Sequence, residues 1–302
     1  MSLADHAGAA TAPRVSVAQR PRTWRRLLRP AVLYVLLTFF GLIFGFPFYW
    51  LVIGSLKNEA QYNQFPPTWL PNPPHWSNYV TLFQALPFGQ FLVNSVIVTG
   101  FVVIGVVASS AVVAYAFARL RAPGRGILFA LLLATVILPS QITIVPTFIL
   151  FSKLGWLNSF KPLTIPSFFG DAFSIFLIRQ FFQGIPRDLD EAAMLDGCGY
   201  GRIFWHIFVP NSWPVLATVA IFAFINTWSD FFTPLIYLNN FNKMTAAVGL
   251  AFLNVEHGGG SSTVTLQVML AGSLVVIVPM LAVFILLQRY FVKAITLTGV
   301  KA

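Results

Sequence analysis

Long runs of residues without charge are the feature that most restricts how this chain can fold. No charged residue occurs between Arg29 and Lys57, and only 9% of the 302 residues are charged. An average soluble domain is about 25% charged, so a water-facing surface cannot be built from this composition. The runs lack the period-2 alternation of barrel strands, and unpaired backbone groups are too costly in hydrocarbon. The sequence therefore predicts an all-α integral membrane protein.

The length and position of the apolar runs predict six transmembrane helices, because roughly 20 apolar residues are needed to cross the hydrocarbon core. The fourth is the least apolar, since it contains Asp171 and Arg179. Residues 1–29 are expected to form a basic tail, and residues 30–302 the transmembrane domain. The expected spans cover about residues 31–53, 91–117, 126–148, 163–182, 213–238 and 266–288.

The distribution of basic residues predicts the orientation of these spans. With the N-terminus in the cytoplasm, fifteen Lys and Arg residues fall in cytoplasmic segments and four fall outside. Because cytoplasmic loops are enriched in Lys and Arg and the number of spans is even, both termini are expected in the cytoplasm. The net charge of +10 then reflects topology and not the binding of nucleic acid. The histidines show no metal-like spacing, and the single cysteine, Cys198, excludes a disulfide within the chain.

A polar segment at about residues 183–211 interrupts the apolar pattern, and four of the nine acidic residues lie in it. Pro186 suits the first position of a helix. The first turn would then contain three acids that complement the positive end of the helix dipole, Asp188, Asp190 and Glu191. The segment therefore predicts a short, capped helix at the cytoplasmic surface.

The same segment is expected to contain a turn and a second helix. Gly197 suits the left-handed position that ends a helix, and residues 203–209 can form a short apolar helix that Pro210 stops. The first helix would have a small apolar face with an acidic rim. Such an element suits docking into the groove of a partner, but an ordinary connecting loop explains the local pattern equally well.

The spacing of this segment resembles the EAA motif of ABC-importer permeases. Glu191-Ala192-Ala193, three residues, Gly197, nine residues and Ile207-Phe208-Val209-Pro210 follow that motif, with Val209 where the family usually has Leu. The chain is similar to the carbohydrate, maltose-type branch, also in the segments YAFARLRAPGR, LPSQITIVP and NTWSDFFTPL. The resemblance implies a type I ABC-importer permease fold in a prokaryotic cell membrane.

The resemblance also implies that residues 185–210 form a coupling helix in a cleft of a cytoplasmic ATPase subunit. The implied assembly contains a second related permease chain, two ATPase subunits and an extracytoplasmic solute-binding protein. This chain has no G-x-x-x-x-G-K-[ST] phosphate loop, so ATP and Mg are expected in the ATPase subunits and the permease is not expected to be an enzyme. The coupling positions carried over are Glu191, Ala192, Ala193, Asp196, Gly197, Ile207 and Pro210.

Polar residues inside the predicted spans are candidates for the substrate pathway, because such residues at membrane depth face cavities or partners. The main cluster is Asn226, Trp228 and Asp230, with Asn94 and Gln141 as lesser candidates. Asn226 and Asp230 are expected to share a helix face, whereas Trp228 lies about 200° around the helix. Structural hydrogen bonds between packed helices explain these residues equally well.

The expected function is that of a permease subunit that forms half of the pathway of an ATP-driven carbohydrate importer. The alternative is an ion- or proton-coupled secondary carrier that uses Asp230 and needs no ATPase. The importer is favoured because a secondary carrier does not explain the motif in residues 185–210.

Overall fold

The computed structural model describes residues 23–258 and 265–299, and every regular element in these residues is helical, as the sequence predicts. A π-helical turn, Phe204–Phe208, and two 3-10 turns, Ile165–Phe169 and Phe241–Lys243, interrupt the series of α-helices. The α-helices are α1 Thr23–Ser55, α2 Glu59–Asn63, α3 Ser77–Ala85, α4 Phe88–Arg119, α5 Arg125–Ile137, α6 Ser140–Lys153, α7 Lys161–Thr164, α8 Ala172–Gly184, α9 Asp188–Leu195, α10 Tyr200–Ile203, α11 Val209–Asn211, α12 Trp213–Trp228, α13 Phe232–Tyr237, α14 Ala246–Gly258 and α15 Leu266–Gly299.

The chain divides into two compact units, Met1–Trp50 and Leu51–Ala302. In the described part of the first unit, α1 exposes every side chain of residues 32–49, and most of these are apolar. An apolar surface of this length is typical of a helix that lipid or another chain covers. The second unit contains the other elements and all the residues of the candidate site.

Within residues 23–258 and 265–299, three helical segments are long and apolar enough to cross a membrane, and they are Val32–Ser55, Phe88–Arg119 and Leu266–Arg289. The number rises to five if each of two bent helix pairs forms one span. These pairs are Arg125–Ile137 with Ile142–Lys153 and Tyr200–Asn211 with Trp213–Trp228. Six spans are therefore not confirmed among the described residues, and the cytoplasmic position of the termini stays a prediction.

The third predicted span is bent because a proline lies in its middle. Leu138 is extended, with ψ at 119°, since the ring of Pro139 disfavours the helical conformation of the residue before it. The segments on either side meet at an angle of 102°. The span predicted over residues 126–148 is therefore two short helices.

The fourth predicted span is broken at a glycine. Gly170 has a φ of +95° and separates the 3-10 turn Ile165–Phe169 from α8. Asp171 then caps α8, because its carboxylate accepts a hydrogen bond of 2.8 Å from the backbone N–H of Ser174. The 13 residues of α8 are too few to cross the hydrocarbon core alone.

Two buried clusters hold the second unit together, and α4 takes part in both. In the first, the ring of Tyr115 packs against Phe182 and Phe208, with ring centroids 6.4 and 4.9 Å apart. In the second, the buried rings of Phe88 and Phe91 lie 6.2 Å apart beside residues from α3, α14 and α15. The position of α4 therefore determines where the shorter helices can pack.

Gly105 of α4 is a point of close approach to the 3-10 turn. A methyl group at Gly105 would lie 2.9 Å from the ring of Phe168 and still closer to the hydroxyl of Ser167. Gly100, on the same helix, has no atom within 4 Å of a methyl group built on it.

Gly105→Ala is expected to destabilise the protein by about 1–3 kcal/mol, because overpacking forces the 3-10 turn away from α4. Gly100→Ala is the matched control and gains helix propensity without a steric conflict. Thermal unfolding of the two variants in detergent measures the difference. Equal melting temperatures would show that the approach at Gly105 is not tightly packed.

Candidate functional site

The helix α9 begins at Asp188 and has the predicted acids Asp188, Asp190 and Glu191 in its first turn. The backbone N–H groups of Asp190 and Glu191 donate to the carbonyl oxygen of Arg187 at 2.9 and 3.1 Å. Arg187 is therefore the N-cap, and Pro186 precedes the helix instead of occupying its first position.

The end of α9 is a Schellman motif centred on Gly197. The backbone N–H of Cys198 donates to Ala193 at 2.9 Å, and that of Gly197 donates to Met194 at 3.0 Å. Gly197 has a φ of +79°, so the left-handed conformation predicted from the sequence is present. Glycine is favoured here because it has no Cβ, whereas an L-residue adopts this conformation at a steric cost.

The second arm is helical from Tyr200 to Asn211 but contains the π turn Phe204–Phe208. The N–H of Val209 donates to the carbonyl of Phe204, five residues earlier. Pro210 has no N–H, and its ring crowds the carbonyl group of His206, four residues before it. The wider π turn accommodates both effects. The prediction that Pro210 stops this helix is wrong, because α11 continues to Asn211.

The motif residues do not all share one environment. Ala193 and Ile207 are half-buried and pack against the first core cluster. Asp196 is the C-cap of α9 and is exposed together with Gly197. The remaining outward side chains of α9 form a mixed acidic and apolar surface, which consists of Asp188, Leu189, Glu191, Ala192, Met194 and Leu195.

Arg119, the last residue of α4, fixes this segment to the membrane-spanning part of the chain. Its Nη2 donates to the carbonyl oxygens of Phe182, at 2.9 Å, and of Ile185. Its Nε lies 3.4 Å from Oδ2 of Asp190, and its guanidinium lies 4.9 Å from the centre of the Phe208 ring. We call this set of contacts the Arg119 anchor.

The charges of the Arg119 anchor compensate each other only in part, because among the described residues Nε of Arg119 and Oδ1 of Asp190 are buried without a hydrogen-bond partner. The side chains of Arg119 and Asp190 are only 6% and 11% exposed. Burial raises the pKa of Asp190, and the neighbouring Arg119 charge opposes this shift. An acid with a raised pKa stabilises the fold most at low pH, and this contribution is lost as the pH rises through its folded-state pKa. Loss of the Arg119 charge would therefore raise the pKa of Asp190 further.

Sequence reasoning missed the Arg119 anchor, because it treated Arg119 only as a topological charge. One signal was present: a basic residue at the end of a long apolar helix and an acid-rich helix elsewhere in the chain. Their pairing involves residues 71 positions apart, which a local pattern does not reveal.

Asn94, a candidate pathway residue, is 2% exposed and hydrogen-bonded to the protein. Its Nδ2 donates to the carbonyl oxygens of Asn242 and Met244 at 2.8 and 2.9 Å. The adjacent hydroxyl of Ser95 accepts a bond of 2.8 Å from the backbone N–H of Ala246. These bonds hold the start of α14 against the first half of α4.

Trp228 lies in the interface between α12 and α15 and is 3% exposed. Its indole N–H donates to the carbonyl oxygen of Val276 at 3.0 Å, and its ring stacks on Phe224 with centroids 5.4 Å apart. A buried tryptophan normally finds such a partner for its N–H. Trp228 therefore takes part in helix packing.

Asp230 lies beyond the end of α12 and not on it, so it does not share a helix face with Asn226. Its carboxylate accepts a hydrogen bond of 3.1 Å from the backbone N–H of Thr233, in the first turn of α13. Asn226 is an exposed residue of α12. The side chain of Gln141 lies outside the described residues.

Comparison with known families shows which class of protein has this fold and motif. Residues 15–297 match the family described as binding-protein-dependent transport system inner membrane component. The chain belongs to this family and is an inner-membrane permease, as the EAA-like spacing predicted. The comparisons offer no support for a secondary carrier.

Curated relatives and a solved structure place the chain more narrowly. It is 32% identical to the sn-glycerol-3-phosphate transport system permease of Yersinia enterocolitica, over 87% of this chain and 94% of the relative. It is also 32% identical to the arabinooligosaccharides transport system permease of Halalkalibacterium halodurans, over 87% and 93%. A bacterial ABC transporter that imports the acidic polysaccharide alginate aligns with a TM-score of 0.74 and 26% identity, over 90% of this chain and 99% of that one.

Arg119→Ala is expected to destabilise the Arg119 anchor by about 3–5 kcal/mol, because it leaves Asp190 buried and unpaired. Cys198, the single cysteine, is half-buried and reports opening of this segment. Maleimide labelling of Cys198 should become more than about tenfold faster. Arg121→Ala, at an exposed position, should leave the rate unchanged, and Asp190→Asn should partly reverse the effect of Arg119→Ala. Identical rates in all variants would contradict the anchoring role.

Gly197→Ala is expected to weaken the end of α9 by about 1–2 kcal/mol, because alanine must adopt a left-handed conformation. Gly199→Ala is the control, since Gly199 has an ordinary φ of −77° and neither glycine has an atom within 4 Å of an added methyl group. Hydrogen–deuterium exchange at the amides of residues 197 and 198 measures the change. Equal exchange in both variants would refute the conformational requirement.

Proposed function

We propose that the chain is a permease subunit of an ATP-driven importer of a carbohydrate or a related polyhydroxylated solute. The observation that carries this proposal is the family match together with the exposed EAA-like helix. A relative named for arabino-oligosaccharides, a relative named for glycerol 3-phosphate and the alginate importer support the class of solute. In this proposal the chain forms half of the pathway beside a second, related permease chain.

The outward surface of α9 is the proposed contact with a cytoplasmic ATPase subunit. It consists of acidic and apolar side chains on a helix whose two ends are fixed by the Arg119 anchor and by Gly197. Apolar side chains as exposed as Leu195, at 90%, favour a covered surface in the assembly. Glu191, Ala192 and Asp196 are the proposed contacts, while Ala193, Ile207 and Pro210 support the fold behind them.

The other partners follow from the family. Its description as binding-protein-dependent supports an extracytoplasmic solute-binding protein that delivers the solute. Two ATPase subunits would bind ATP and Mg and close during the cycle. Closure would move α9, and the Arg119 anchor would transfer this movement to α4 and α8.

Glu191→Lys is expected to reduce solute-stimulated ATP hydrolysis at least about tenfold, because a reversed charge at a docking contact costs several kcal/mol. Gly197→Asp should act in the same direction. The measurement uses the complete transporter and its binding protein in proteoliposomes, with insertion confirmed by labelling. Glu59→Lys is the matched control, since Glu59 is an exposed acid in the first turn of α2.

Full ATP coupling in Glu191→Lys would refute the contact. Uptake that survives ATP depletion and collapses with the proton gradient would refute the importer itself.

A further inference from the structure

An open cavity of about 750 Å³ lies between the C-terminal half of α8, the start of α9 and the last residue of α11. It borders the outward surface of α9 at Leu189, which belongs to both. Three amide side chains, Gln180, Gln183 and Asn211, line it together with the rings of Phe176 and Phe181. None of the described residues that line this cavity carries a charge.

The amides in the cavity are available to a ligand. Gln180 and Gln183 are exposed and, within the described residues, make no hydrogen bond to the protein. Asn211 uses its Nδ2 to donate to the carbonyl oxygen of Ile207 at 2.7 Å, which leaves its Oδ1 to accept. An amide with both donor and acceptor groups matches a hydroxyl group, which also donates and accepts.

Of the three amides, only Gln180 lies within a predicted span, where a polar side chain beside lipid is costly and a water-filled or solute-filled surface is favoured. Gln183 and Asn211 lie in the polar segment at residues 183–211. The same side of α8 continues away from the cavity to Phe173, whose ring meets that of Phe222 on α12 at 6.0 Å. Asn226 lies one helical turn beyond Phe222 and is exposed. The rings of Phe173 and Phe222 therefore lie between the amides of the cavity and Asn226.

One wall of the cavity belongs to the proposed ATPase-coupling helix. Leu189 of α9 lines the cavity and is 44% exposed. It stands beside Asp190, which is held by the Arg119 anchor. A movement of α9 relative to α8 would therefore change the width of the cavity.

We propose that this cavity is a binding site for a neutral, polyhydroxylated solute on its way through the permease, with Gln180, Gln183 and Asn211 as its hydrogen-bonding groups. The proposal rests on the proposed import function. Neutral amides would bind hydroxyl groups without holding an anion strongly, and the phenyl rings would contact the apolar faces of a sugar. The site would open or close as α9 moves.

The test uses the complete transporter in proteoliposomes, with Cys198→Ser and Gln180→Cys. The probes are a neutral glucosyl methanethiosulfonate and the anionic sulfonatoethyl methanethiosulfonate, with 2-mercaptoethanol as the reference thiol. Relative to that reference, the neutral reagent should react preferentially at position 180. Adding Gln183→Leu should slow the neutral reagent about two- to tenfold and leave the anionic reagent unchanged, because one hydroxyl contact is lost. Gln288→Leu, an exposed amide outside the cavity, is the matched control.

Three results would overturn the site. These are an unreactive Gln180→Cys, equal slowing of both reagents by Gln183→Leu, and reactivity that appears only when the ATPase subunits are removed. The last result would make the cavity part of the ATPase contact.

Trapping with ATP and vanadate should change the rate at position 180 several-fold. Selectivity that persists without this response would refute the proposed coupling function and leave the site standing. A nucleotide response without selectivity would refute the binding site and leave the proposed coupling function standing.

Discussion

The segment at residues 183–211 depends on one requirement, that the buried guanidinium of Arg119 be compensated. A buried charge is tolerated only where hydrogen-bond acceptors and an opposite charge surround it. The end of α8 supplies the carbonyl oxygens of Phe182 and Ile185, and α9 supplies Asp190. The ring of Phe208 completes the surroundings. Compensating this one cation therefore brings the end of α8, the start of α9 and the π turn to the same point.

Features set by neighbouring residues could be predicted from the sequence. The acids of α9 and the left-handed Gly197 follow from the unpaired N–H groups and carbonyl groups at helix ends. The motif spacing identified the family before the fold was known. The π turn could not be predicted, because a proline can either end a helix or be accommodated by a wider turn. The packing of Phe204 and Phe208 in the core favours the wider turn.

Features set by distant residues could not be predicted. Hydropathy gave the number of apolar runs, but it did not show that Pro139 and Gly170 divide two of them into short helices. The indole of Trp228 and the amide of Asn94 look like ligand-binding groups in a sequence. Both find their partners on segments that are 48 and 148 residues away. The sequence does not single out Gln180 and Gln183, because only the packing of α8 shows that their face of the helix borders a cavity.

Hydrogen bonds hold both ends of α4. Asn94 and Ser95 bind the start of α14 and the residues just before it, and Arg119 binds the end of α8. Asn94 and Arg119 are 25 positions apart, which in a helix rising 1.5 Å per residue is about 38 Å. One continuous helix, α4, therefore joins the two sets of contacts. Force applied near α9 would thus reach the start of α14 without passing through any of the shorter, broken helices.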